Sequence, residues 1–398
     1  MGGRHEIDVM DPDPLCQGRF SSFVRRFIRS PSFSKDPAEF LRFLDSQLRA
    51  RPYDVVLPTH EQVYLLSRFR DSLSKRVGLA MPPFESLERM QNKASFSRLL
   101  VELALPQPQT TIVTNRNDLN QSWSYPFYLK LPHSTAGSGV FLVNTAEDLR
   151  TRVEDLENRD LLRDGSEILV QRPGRGVLST VQAVFNSGEL IGVHTFEARR
   201  LGVGGMSTAR VSVRHEIVHQ HVARMGAHLN WHGALFIDYF FDREQEKPEY
   251  IECNPRIGET VNAMLSGANL PELLVRISNG ETPQPAGPTR EGVLTHNILM
   301  ISMSAAYDGE TRRAIWREQR ECAAGRGLYE NSEDEITRPR EDPLSRLPRI
   351  WTTAQLLACP AIARRIVSKT VANYALPESA TARIKRLPLD LLERGDSN

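Results

Sequence analysis

Two neighbouring stretches place acids where acids are costly. "GALFIDYFF", residues 233–241, is a continuous apolar and aromatic run of the kind that forms a buried strand, yet it carries Asp238 at its middle. In "EYIECNPRIGE", residues 249–259, Glu252, Asn254 and Arg256 alternate with Ile251 and Cys253. Alternate side chains of a strand share a face, so one face holds an acid, an amide and a cation while the other is apolar. Between the runs, "DREQEKPE" is polar, contains a proline and reads as a hairpin connection. With the turn near Gln245, Asp238 falls opposite Glu252, where like charges repel unless a cation lies between them. Oxygen donors alone (Asp238, Glu252, Asn254), with no His or Cys on that face, favour Mg²⁺ or Mn²⁺ over zinc. Arg256 is then suited to an anion held by the metal, phosphate above all.

A second group of residues has phosphate chemistry. "YPFYLKLPHSTAGSGV", residues 125–140, is an apolar strand interrupted by Lys130 and followed by a small-residue loop that includes Ser138 and Gly139. Small residues let backbone N–H groups approach phosphate oxygens, and a strand-borne lysine bridges the same oxygens. The order differs from a Walker A motif, in which the lysine follows the glycines and opens a helix. Three further stretches have plain readings on their own. Lys93 in "MQNKASF" reads as a solvated helix lysine, and "EILVQRPG", with Val170, Gln171 and Arg172, reads as a sheet strand. "HTFEARRLGVGGMSTARVSV" reads as a basic hairpin whose Arg199, Arg200 and Arg210 have the geometry to grip a carboxylate. His232 reads as structural.

These residues need strands and helices to carry them. "HEIDVMD" and "YDVVLPT" read as strands alternating with helices over "DPAEFLRFLDSQLRA" and "HEQVYLLSRFRDSL", a small α/β unit over residues 1–88. "SLERMQNKASFSRLLVELA" predicts one further helix. From about 124 to 280 the strands crowd together as in an antiparallel-rich α+β domain, "NGETPQPAGPTREG" reads as a linker or long loop, and residues 293–398 are mostly helical and rich in arginine.

In order and spacing, Lys93, Lys130 with its Gly-Ser loop, the strand end at Gln171, and then Asp238, Glu252, Asn254 and Arg256 resemble the ATP-grasp superfamily. The resemblance covers residues 1–280 and is nearest the carboxylate–amine ligases related to the carbamoyl-phosphate synthase large chain. It implies a Rossmann-like pre-grasp domain over 1–88 and a two-lobed ATP-grasp domain over 89–280; beyond them, residues 281–398 are expected to form a mostly helical C-terminal region. It also implies ATP and two magnesium (or manganese) ions as cofactors. Lys93 and Lys130 would contact the ATP phosphates, with Ser138 and Gly139 of the Gly-Ser loop also binding the nucleotide and the backbone of Val170, Gln171 and Arg172 at the adenine. Asp238, Glu252 and Asn254 would bind the metals, and Arg256 would stabilise the transferring phosphoryl group. Arg199, Arg200 and Arg210 would line the substrate side, and Asn262 would face the cleft.

The implied reaction activates a carboxylate as an acyl phosphate and joins it to an amine, with release of ADP and phosphate. The alternatives are a biotin-carboxylase-like enzyme using bicarbonate, disfavoured because "STAGSG" replaces a run of consecutive glycines, and a non-catalytic nucleotide-binding module. Two departures stand out. "GRGVLST" replaces the segment that ordinarily supplies a ribose-binding Glu, and the chain begins at what reads as the second pre-grasp strand.

Composition narrows the partners. With 50 basic against 49 acidic residues, net charge +1, nothing supports general nucleic-acid binding, so small-molecule substrates are expected, with a homo-oligomer open. The C-terminal cations are expected on solvent, in preference to an anionic membrane surface. Four scattered cysteines (Cys16, Cys253, Cys322, Cys359), an acidic N-terminus and no long apolar run point to a cytoplasmic protein.

Overall fold

The computed structural model describes residues 5–134, 137–162, 166–309, 311–336 and 341–393. Strand β1 (Ile7–Asp11) pairs in parallel with β2 (Val24–Arg29), the latter hidden in the sequence by its three arginines. Helix α1 (Pro37–Ala50) starts at Asp36, whose carboxylate accepts from the Glu39 amide, with Pro37 in the first turn. The strand expected in "YDVVLPT" reduces to one bridge, Val55 with Gly78. Between that segment and β1 lies a cavity of about 170 Å³, walled by Met10, Ile28, Leu44, Leu48 and Val56. Helices α2 (Gln62–Arg68) and α3 (Arg70–Leu73) follow.

The single helix predicted from residue 86 is two, α4 (Phe84–Gln91) and α5 (Lys93–Glu102). Asn92 separates them in an extended conformation and caps α5, its side chain accepting from the amides of Ala94 and Ser95 at 2.9 and 3.0 Å. An asparagine offers the backbone this local alternative to helix continuation.

Two antiparallel sheets follow. The smaller has strands β3 (Thr110–Val113), β4 (Phe127–Lys130), β5 (Val140–Val143) and β6 (Ile168–Gln171) in the order β3-β6-β4-β5. Helix α6 (Ala146–Asn158) covers it through Leu149, Val153 and Leu156, packed with Phe127, Leu129 and Ile168.

The larger sheet contains β7 (Val177–Asn186), β8 (Glu189–Leu201), β9 (Ser207–Val213), β10 (Gly233–Asp242) and β11 (Lys247–Asn254). Helix α7 (Glu216–His228) buries Val218, Val222 and Met225 against Val181, Phe185 and Ile237 on one face. Short helices α8 (Val261–Ser266) and α9 (Leu270–Ser278) come next.

The segment after 279 runs along the sheet, with the Ala286 amide on Ile191 O and the Gly292 amide on Ser212 O. It then adds β12 (Leu294–His296) and β13 (Ser332–Asp334), giving the order β11-β10-β7-β8-β9-β12-β13. These two strands were not expected in a helical region. Helices α10 (Ile298–Tyr307), α11 (Arg312–Ala323), α12 (Arg346–Ala358) and α13 (Ile362–Tyr374) share a core of Met303, Ile315, Leu356 and Ala363, with Arg313, Arg317, Arg364 and Arg365 exposed. Helix α14 (Glu378–Arg386) returns to the N-terminal unit, where Ile384 joins the same core as Phe40, Leu41 and Leu65. Among the described residues no helix is long and apolar enough to cross a membrane.

Candidate active site

The hairpin of β10 and β11 turns at Asp242, whose carboxylate accepts from the amides of Glu244 and Gln245. This turn sets a register in which Asp238 stands opposite Glu252, as the alternation predicted, with a bulge immediately after Asp238. Continuing across the sheet, Glu252, Asp238, Thr180 and Phe196 form one row, and Asn254, Phe236, Gln182 and His194 the next. The two carboxylates and the Asn254 amide therefore share a face.

That face is short of positive charge. Asp238 is half-buried and accepts from Thr180 Oγ1 at 2.6 Å, yet desolvation, reinforced by the Glu252 carboxylate, pushes its carboxyl up to about 7. Glu252 meets Lys93 Nζ at 3.1 Å. A hard divalent cation suits this set of oxygen donors, two opposed carboxylates and an amide. Among the described residues no three His, Cys, Asp or Glu side chains converge, so Asn254 would have to complete the set.

Lys93 departs from its plain reading. It opens α5 with its amide on Pro132 O, its side chain is only 4% exposed, and Nζ also reaches Ser134 Oγ at 3.2 Å. Lys130, on β4, is buried and donates to Gln171 Oε1 at 2.6 Å. Burial, with Lys93 adding to it, lowers its ammonium to about 8 against the opposing pull of Glu252 and Asp238. Two lysines from one sheet and its flanking helix thus face two carboxylates from the other.

The loop after Lys130 includes two residues, Thr135 and Ala136, outside the described set. Around them the Leu131 amide donates to Gly139 O and the Val140 amide to Gly137 O. Gly137 is left-handed (φ 72°), and a Cβ there would lie 3.1 Å from Gly204 O. The Gly-Ser loop holding Ser138 and Gly139 thereby packs on the glycine-rich turn of the basic hairpin.

The expected adenine segment is more engaged than its backbone role assumed. Val170 pairs with Thr111 on one side and Leu129 on the other, and the Arg172 amide donates to Gln109 O. Gln171 acts through its side chain, taking Lys130 Nζ and donating to Thr110 Oγ1.

Arg256 requires a correction. It does not continue the strand: β11 ends at Asn254, because Pro255 has no N–H to donate. The Arg256 amide turns back to Asn254 O, its guanidinium lies 4.9 Å from the Phe236 ring, and Nε bonds Glu61 at 3.0 Å. Because Phe236 stands opposite Asn254, Arg256 still belongs to the metal face.

The three arginines expected to line a substrate separate. Arg199 reaches Leu328 O and Arg200 pairs with Glu318 of α11 at 3.0 Å, both in the C-terminal region. Arg210, buried, pairs with Glu335 and, at 3.4 Å, with Glu259, whose side chain is 61% exposed. Asn262, expected to face the cleft, is fully buried and bonds His194, Val293 O and Thr295. His232 accepts from the Ser187 amide, a structural role.

Sequence reasoning missed Thr180, Glu61, Glu259 and Glu335. Thr180 is an ordinary strand threonine until its register with Asp238 is known. Glu61 carried a signal in its place, the loop after an apolar run in an α/β unit, where ligand sites of such folds lie.

No protein-family profile matches the chain. The carbamoyl phosphate synthase large chains of Thermoanaerobacter sp. (strain X514) and Thermoanaerobacter pseudethanolicus (strain ATCC 33223 / 39E) are each 23% identical to it, over 224 and 235 residues. Those matches cover 51% and 54% of this chain but 20% and 21% of the relatives, so the chain spans about a fifth of their length.

Among solved structures, the biotin carboxylase domain of Hydrogenobacter thermophilus 2-oxoglutarate carboxylase, in complex with MgADP, ADP and bicarbonate, superposes with a TM-score of 0.58 at 14% identity. It covers 72% of this chain and 67% of that one. N5-carboxyaminoimidazole ribonucleotide synthetase from Thermus thermophilus gives 0.53 at 20% identity, over 73% and 75% of the two chains.

Proposed function

We propose, from the premise that this chain has the ATP-grasp fold and is a weak homologue of the carbamoyl phosphate synthase large chain, that it is an ATP-dependent carboxylate–amine ligase. The observation that carries the reading is the approach of Lys93, 3.1 Å from Glu252, and of Lys130 to the opposed hairpin carboxylates Asp238 and Glu252. In the proposed reaction a substrate carboxylate oxygen attacks the γ-phosphorus of ATP, the bond from that phosphorus to the β,γ-bridging oxygen breaks, and ADP leaves. An amine then attacks the acyl phosphate carbon, expelling phosphate and a proton and leaving an amide.

Phosphoryl transfer of this kind depends on positioning and charge stabilisation. Lys130, held by Gln171, and Lys93 bind and orient the phosphates, with Ser138 and Gly139 as further phosphate contacts. Asp238, Glu252 and Asn254 would hold magnesium, with two ions as the proposed full complement. When bound, the metal supplies charge neutralisation at the phosphate oxygens. Arg256 meets the negative charge that grows on the transferring group. The acceptor side is assigned to Arg210 and the exposed carboxylate of Glu259, since Arg199 and Arg200 are committed to the C-terminal region.

The test is ADP release by the purified protein with Mg²⁺ and ATP, with pooled amino acids, with bicarbonate, and with neither. Release that requires a carboxylate and an amine together supports the ligase. Release with bicarbonate alone favours a carboxylase-type enzyme, and nucleotide binding without turnover in any arm leaves a binding module.

A further inference from the structure

We propose that Glu61 is a positioning residue that holds Arg256 for phosphoryl transfer, so that the N-terminal unit completes the catalytic face of the large sheet. The proposal rests on the ATP-dependent reading above.

Glu61 stands just before α2 and is 1% exposed. An acid at that position ordinarily serves the helix N-terminus, but its side chain makes no such bond. Both carboxylate oxygens instead have partners from elsewhere in the chain. Oε1 accepts from Arg256 Nε at 3.0 Å, and Oε2 accepts from Gln91 Nε2, on α4, at 2.9 Å. Arg256 is itself largely enclosed, its side chain 14% exposed.

Stability alone is a poor account of this pair. Two charges buried together recover roughly what their desolvation costs, and a well-packed apolar pair serves a core as well or better. What the pair does supply is geometry. Nε is the inner nitrogen of the guanidinium; fixing it to a carboxylate that Gln91 also holds, with the Phe236 ring 4.9 Å away, defines the plane of the group. Among the described residues the two terminal nitrogens of Arg256 have no hydrogen-bond partner, so their donors remain for an anion. A guanidinium tethered at Nε presents that fork without having to be ordered when charge develops. The neighbouring His60, half-buried and close enough to feel the Arg256 charge, stacks on Tyr374 at 4.4 Å.

Glu61→Gln tests the idea while preserving size. Removal of an outer partner of this kind costs roughly ten- to a hundredfold, so kcat for substrate-dependent ADP release should fall by that factor with KM for ATP nearly unchanged. A second measurement needs no substrate: binding of MgADP alone and of MgADP with fluoroaluminate, which mimics the phosphoryl group in transfer. The wild type should bind the mimic more tightly than MgADP. Glu61→Gln and Arg256→Ala should each lose most of that margin with MgADP affinity retained, and the double variant should lose no more than Arg256→Ala. A Glu61→Gln protein with wild-type turnover and margin, or losses that simply add in the double variant, would overturn the role of Glu61 and leave the ligase reading intact. Failure of the wild type to bind MgADP would overturn the ATP-dependent reading itself.

Discussion

At the scale of single residues, the site is a balance of charges held in unfavourable states until a ligand arrives. Asp238 shows it most directly. With its folded carboxyl near 7 and an ordinary value when unfolded, the group costs nothing below about pH 4, progressively more from there to about pH 7, and no more above it. The metal-free protein should therefore lose stability between about pH 4 and 7, by on the order of a few kcal/mol from this residue. Asp238→Asn keeps an acceptor for Thr180 and should flatten that slope. Thermal melts in chelator across this range check it, and identical slopes for the two proteins would remove Asp238 as the cause. Added Mg²⁺ at pH 8 should restore the wild type and leave the Asn variant nearly unmoved. Lys130 gives a second expectation: Lys130→Ala should weaken ATP binding and Lys130→Arg should not restore it, because a planar fork cannot replace a compact ammonium seated on Gln171. Wild-type nucleotide affinity in the alanine variant would exclude a phosphate role.

At the scale of elements, legibility followed how local the determining physics is. The β10–β11 hairpin could be read because alternation, an apolar partner run and a polar turn all lie within 22 residues of sequence, and the observed opposition of Asp238 and Glu252 follows from them. Strand β2 could not: Arg25, Arg26 and Arg29 break the apolar pattern, and its pairing with β1 is parallel, with no hairpin turn to announce it. Strands β12 and β13 escaped notice because three residues carry no period, and their existence depends on an available sheet edge at β9. The same reasoning explains the site. Donors on the hairpin were legible; Thr180 and Glu61, which depend on register and on contact across 195 positions of sequence, were not. Glu252→Gln tests the hairpin as an element. It removes one of two opposed carboxylates without altering the ladder, so secondary structure should be retained, while loss of the Lys93 pair should lower the melting temperature of the metal-free protein. Mg²⁺-dependent ADP release should nonetheless collapse. Undiminished turnover would separate the hairpin from metal binding.

At the scale of the whole molecule, the two ends of the chain are one packed body. The Tyr374 hydroxyl bonds Asp11, Lys369 reaches Asp13 at 3.0 Å, and Arg383 donates to Ser34 O. Beneath these polar contacts Leu376, Ala380, Ile384 and Leu392 are buried in the core that also contains Phe40, Leu41, Leu65 and Leu73. That core backs α2 and α4, which present Glu61 and Gln91. A substitution in α14 should therefore weaken the N-terminal unit and, through it, the seat of Arg256, although no residue of α14 belongs to the site. Ile384→Ala removes a fully buried side chain and should cost about 2–5 kcal/mol. Ile384→Val, losing one methylene, should cost about 0.5–1.5 kcal/mol. If the coupling runs through packing, the lower-temperature activity of Ile384→Val should match the wild type, while Ile384→Ala loses activity and cooperative melting at the same temperature. Activity in Ile384→Ala that persists after the N-terminal unit has melted, followed by proteolysis between residues 30 and 80, would show that the site does not depend on this packing.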